Sequence, residues 1–168
     1  LCGPTECLSG QSINDTGYTY DRMNYNWFFG GNAYVDFNPI KEGKLPLSLS
    51  GSSLFSQEGC ATMSDQEGNL LFYTDGETVY AKDGTIMLNG TDLGSSGTST
   101  QSSIIIPRPD SNKYYIFTTD YAGSPHGFEY AIVNMDLEDG DGLVESKQNV
   151  LITTPLTEKV TACCHSDE

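Results

Sequence analysis

The feature that most limits the fold of this chain is an internal repeat. Glu58-Gly59-Cys60-Ala61-Thr62, Gln101-Ser102-Ser103-Ile104-Ile105 and Glu158-Lys159-Val160-Thr161-Ala162 each place a Glu or Gln ahead of small and β-branched residues. A second motif follows in the same order, Leu71-Phe72-Tyr73-Thr74-Asp75 against Ile116-Phe117-Thr118-Thr119-Asp120. The offsets are 43 and 57 residues for the first motif and 45 for the second. A period of roughly 40–50 residues with about four short strands per unit is the pattern of β-propellers.

The segments between the motifs fit that pattern. Strands are predicted over residues 26–29 and 33–37, separated by Gly30-Gly31-Asn32, and a Pro/Gly/Ser-rich connection fills 38–55. One unit (about 56–90) then holds strands at 59–64, 70–74, 78–81 and 85–87, with turns at Gly68-Asn69, Asp75-Gly76 and Asp83-Gly84. Glycine supplies the positive φ that such hairpins need. A second unit (about 98–154) holds 102–106, 114–118, 128–135 and 150–153, and a third opens near 158 with 159–162. The expectation is an all-β chain of tandem four-stranded antiparallel propeller blades, two complete and one begun, behind an irregular Cys-containing lead-in over 1–25. Since about four to eight blades close a ring, such an array leaves sheet faces and edges open. The polypeptide is therefore expected to continue beyond Glu168, or a partner chain to cover the open side.

Composition agrees with strands and turns. The chain has Tyr 10, Phe 7 and Gly 18, and its charged fraction of 18% lies below the roughly 25% usual for globular domains. No dozen residues carry a helical apolar period. The net charge of −15 repels phosphate backbones and anionic lipid surfaces, which disfavours nucleic-acid and membrane-surface binding. No apolar run approaches the roughly 20 residues of a transmembrane helix. Cys2 and Cys7 flank Pro4 at a spacing that suits a small disulfide loop in an exported protein. The remaining cysteines, Cys60, Cys163 and Cys164, bring the total to five, an odd number that leaves at least one thiol without a partner in the chain.

The run Asn26-Trp27-Phe28-Phe29-Gly30 with Val35-Asp36-Phe37 resembles the N-terminal part of a family of large exported proteins of the Bacteroidota. The resemblance continues through Glu58 to Asp65, Gly68 to Gly76, Met87-Leu88-Asn89-Gly90, Ser99 to Ser103 and Thr157 to Ala162, in unbroken order. It implies a propeller-like N-terminal region of a protein secreted by the type IX system, often associated with gliding motility and ending in immunoglobulin-like repeats and a sorting domain. It implies export to the cell surface or release. It brings no catalytic motif, and the chain departs from the family in its lead-in and at Cys163-Cys164-His165. Asn14-Asp15-Thr16 and Asn89-Gly90-Thr91 match the N-glycosylation pattern, which carries little weight in a bacterial protein.

Candidate chemistry is sparse. His126 and His165 are the only histidines, and neither stands in a nucleophile motif. Asp75, Asp120 and Glu58 offer carboxylates for glycoside hydrolysis. Because Asp75 and Asp120 recur in successive units, whereas a catalytic pair would need to occur only once, a turn-forming role is the better reading. The acidic stretch from Asp136 to Gly142 suggests calcium at first sight, but its fifth position is Gly140 and no helices flank it, so a strand-connecting turn is the better reading. The strongest ligand candidates are Glu58, Gln101 and Glu158. As leaders of the innermost strands, they would ring the mouth of a central channel and hold a cation or polar ligand, or else bond the backbone of the neighbouring unit.

Three functions follow. The first is a non-enzymatic secreted or surface module that binds a protein or glycan ligand. The second is a glycan-active hydrolytic propeller with its catalytic residues elsewhere. The third is an assembly component completed by a partner chain through strand addition. No cofactor is expected beyond the calcium alternative.

Overall fold

The computed structural model describes residues 22–121, 126–153 and 156–163. Within them the chain is all-β, with ten strands in three antiparallel sheets. Helical structure among the described residues is confined to three short 3-10 turns, and no helix is long and apolar enough to cross a membrane.

Each sheet is a meander. The first runs β1 (Asn26–Phe28), β2 (Ala33–Asp36), β3 (Leu47–Ser50). Its tight turn puts Gly31 and Asn32 at φ of 72° and 65°, and Phe29 N–H donates to Ala33 O at 2.9 Å. The second sheet runs β4 (Ala61–Ser64), β5 (Leu70–Thr74), β6 (Val79–Ala81). Aspartates shape its turns. Asp65 Oδ1 accepts from Glu67 and Asn69 N–H, and Asp75 Oδ1 accepts from Glu77 and Thr78 N–H at 2.9 and 2.7 Å. The third sheet has four strands in chain order, β7 (Ser103–Pro107), β8 (Lys113–Thr119), β9 (Phe128–Asn134) and β10 (Leu143–Ile152).

The sheets differ from the sequence expectation in four places. Leu47–Ser50, inside the stretch read as a connection, is a strand and completes a sheet ahead of the unit at 56–90. Its four residues are all exposed, which is why Pro46 and Gly51 dominated the reading. Residues 85–87 contribute only an isolated bridge, Tyr80 to Ile86, so the second sheet has three strands. The last strand of the third sheet is longer than 150–153 and irregular, with register shifts along its pairing and Gln148 at φ 55°. Residues 159–162 form no strand.

Strand alternation sends side chains to both faces of the middle sheet, and each face has its own core. On one side Tyr73 packs with Phe28 and Leu54, joined by Tyr34 and Tyr80. On the other, Met63, Phe72 and Val79 pack against Ile105, Tyr114, Ile116, Ala131 and Val133 of the third sheet. The three sheets are thus stacked face to face in chain order. The first strand of each is a sheet edge, and these edges lie side by side, β1 next to β4 and β4 next to β7.

Candidate ligand groove

Close backbone contacts draw the three edges together. Gly59 N–H donates to Ser99 O at 3.1 Å. A Cβ on Gly59 would collide with the Ser102 backbone nitrogen and come within 2.9 Å of Ser99 O, so only glycine permits this approach. Between β1 and β4, Asn26 Nδ2 donates to Ser64 Oγ at 2.9 Å, and the Cys60 thiol donates to Phe28 O at 3.2 Å. Burial pushes the Cys60 thiol up, with the nearby Asp75 charge adding to it. Both effects favour the neutral thiol, the form that donates to Phe28 O.

A groove of about 480 Å³ runs along the converging edges, within the usual range for small-ligand sites. Trp27 and Phe29 line it from the first sheet, Glu58 from the second, and Thr100 and Gln101 from the third, with Lys159 at the end of the chain's return. Trp27 alternates with buried Asn26 and Phe28 and is 40% exposed. Its indole is held in place, since Nε1 donates to Asn24 O at 2.8 Å and the ring leans on Phe37 at 4.9 Å between centroids. Among the described residues, the side chains of Glu58 and Gln101 make no hydrogen bond to the protein.

The three strand leaders therefore divide. Glu58 and Gln101 both line the groove. Glu158 instead accepts from Thr100 N–H and Oγ1, both at 2.9 Å, while its carbonyl accepts from Gln101 N–H at 3.1 Å. That is the backbone-satisfying role weighed above, and it brings the chain near its end back against the leading edge of the third sheet.

The remaining candidates lie elsewhere. Asp75 forms the turn described above, and Asp120, buried, accepts from Tyr121 N–H at 2.8 Å. His126 is exposed and away from the groove, 3.7 Å from Glu129. In the acidic stretch, Asp136 accepts from Asn112 Nδ2 at 2.6 Å and Glu138–Gly140 is a 3-10 turn between β9 and β10. Among the described residues no cluster of three or more His, Cys, Asp or Glu is placed to hold a metal ion. Asn89 Nδ2 is engaged with Val144 O at 2.7 Å. Cys60 and Cys163 are free thiols. Cys2, Cys7, Asn14, Cys164 and His165 lie outside the described residues.

Two features escaped the sequence reading. Trp27 and Phe29 were counted as strand residues, and nothing local marks them as groove walls. Glu129 was also overlooked, although an acid inside the apolar run Phe128-Glu129-Tyr130-Ala131-Ile132-Val133 is a visible signal. It is buried, among the described residues Oε2 has no hydrogen-bond partner, and that oxygen lies 2.2 Å from where a Cβ on Gly94, at φ 103°, would stand. Burial pushes its carboxyl up, the neighbouring His126 opposes this, and Asp120 adds to the rise.

The groove supplies a fixed aromatic wall, a carboxylate, an amide and an ammonium. Comparison with family models, with curated proteins and with solved structures finds no match.

Proposed function

We propose that this chain is a ligand-binding and display module of an exported protein, that its sheets are blades of a β-propeller, and that the groove is a portion of the central channel. Three successive meanders stacked face to face, with their first strands adjacent, support the propeller reading. The resemblance to type IX-secreted surface proteins supports export and cell-surface location. One observation carries the functional reading. Glu58 and Gln101, equivalent positions of two repeats, line the same groove as Trp27, and among the described residues their side chains make no hydrogen bond. Polar groups converging on a fixed apolar surface are what a protein or glycan ligand requires.

The test is a glycan array and a surface-protein pull-down, each followed by calorimetry on the ligand found. Paired replacement of Glu58→Ala and Gln101→Ala is expected to weaken binding at least about tenfold with folding intact, as loss of two buried hydrogen bonds would. Unchanged affinity in the double variant overturns the assignment of the groove. Substrate turnover in place of simple binding overturns the non-enzymatic reading.

A further inference from the structure

The make-up of the groove limits the class of molecule it can take. Its volume of about 480 Å³ suits a ligand of small-molecule cross-section, whereas a folded protein partner buries roughly 800 Å² per side over a far broader patch. Charge narrows the choice again. Glu58 and Lys159 both line the groove, and among the described residues neither forms an ion pair. A cation attracted by Glu58 is opposed by Lys159. An anion attracted by Lys159 is opposed by Glu58 and by the net charge of −15 on the chain. A neutral, hydroxyl-rich ligand uses both groups, because the carboxylate accepts from hydroxyls, the ammonium donates to them, and the Gln101 amide does either.

The aromatic wall sets the shape of that ligand. Trp27 Nε1 is committed to Asn24 O, so the indole offers its ring surface and no hydrogen bond. Phe29 stands two residues further on, about 7 Å away at strand spacing, and is likewise exposed. Two rings in succession call for a ligand with flat apolar patches in succession. Ring faces carry negative charge and attract weakly positive C–H groups. A pyranose whose hydroxyls are all equatorial presents such a face, since its C–H bonds stand axial. A β-1,4 linkage, itself equatorial, keeps successive faces in line.

We propose that the groove binds a neutral oligosaccharide of equatorially substituted, β-linked pyranose units, which lie along Trp27 and Phe29 with their hydroxyls toward Glu58, Gln101 and Lys159. The inference rests on the groove assignment above and selects a glycan over a protein ligand.

Trp27 is the chain's only tryptophan, so its fluorescence reports on the groove without any substitution. The probes are the β-1,4-linked trimers of glucose, glucosamine and glucuronate at about pH 5.5, which share a ring and are neutral, cationic and anionic. The glucose trimer is expected to shift Trp27 emission to the blue in a saturable way, with a Kd at least about threefold below those of the charged trimers. Calorimetry on variants follows. Trp27→Phe keeps a ring and is expected to bind the glucose trimer within about threefold of the native protein, whereas Trp27→Ala loses at least about tenfold. An unmoved emission spectrum with the glucose trimer, or tighter binding of either charged trimer, overturns the proposal. The fluorescence readout needs no variant, so a folding defect in Trp27→Ala leaves the test intact. A peptide ligand lost in the Glu58→Ala, Gln101→Ala double variant, with no response to the trimers, removes the glycan assignment and leaves the groove standing.

Discussion

The two joints in the stack are built from different materials. Between the first and second sheets lies a column of rings, with Tyr34 on Phe28 at 4.8 Å, Phe28 on Tyr73 at 4.2 Å and Tyr73 on Tyr80 at 5.3 Å, capped by Leu54. Between the second and third lies a broad aliphatic core with one edge-on aromatic pair, Phe72 with Tyr114 at 5.4 Å. The column is narrow and partly wet, since Tyr34 and Tyr80 are only partly buried, whereas Met63, Phe72, Val79, Ile116, Ala131 and Val133 are fully buried. Area removed from water scales with the apolar groups buried, so the second joint anchors the fold. The first is oriented by ring geometry and by single hydrogen bonds such as Ser53 N–H to the Tyr73 hydroxyl at 3.1 Å.

Substitutions on the two faces of β5 test that contrast directly. Phe72→Ala opens a void in the aliphatic core and is expected to cost about 3–5 kcal/mol, read as a fall in the midpoint of urea unfolding. A cost no greater than that of a surface change would mean the second joint does not anchor the fold. Phe28→Leu keeps the site apolar but removes the stack, and is expected to cost about 1–2 kcal/mol from lost ring contacts and imperfect repacking. Should Phe28→Leu prove more damaging than Phe72→Ala, the ranking of the joints is reversed.

The smallest expected effect comes from Glu129, on the anchoring side of the stack. Its carboxyl is raised in the folded protein above the ordinary value of 4.5, so between those two values the folded state holds more proton than the unfolded state. Its contribution to stability is then complete below the unfolded pKa and is lost as pH rises through the folded one. Glu129→Gln is expected to flatten stability across that window and to raise it modestly at neutral pH. Unfolding midpoints of both proteins from pH 4 to 8 measure this. Parallel curves would show that the carboxyl is effectively solvated through His126.

How much of this was legible in the sequence follows from burial. The strands at 70–74, 114–118 and 128–135 were found, within a residue of their ends, because alternation or unbroken apolar runs record a buried face. Leu47–Ser50 was missed because all four residues are exposed, and only pairing with β2 makes them a strand. The polar run Glu145-Ser146-Lys147-Gln148-Asn149 hid most of β10 for the same reason, since its outer edge faces water. At the site, repeat arithmetic singled out Glu58 and Gln101, and both line one groove because equivalent positions of stacked units lie on adjacent sheet edges. It could not separate Glu158 from them, since that carboxylate's partner, Thr100, lies 58 residues away in the chain. Nor could it place Trp27, whose exposure depends on which way a three-residue edge strand turns.

The aliphatic joint has one further property. The chain's four methionines, Met23, Met63, Met87 and Met135, all belong to it, each at most 9% exposed. Thioethers fill irregular gaps well, but oxidation to the sulfoxide turns each into a polar group unsuited to a core. Peroxide would reach these sulfurs only when the joint opens. Damage would then accumulate in proportion to breathing, and each oxidised sulfur would make the next opening easier.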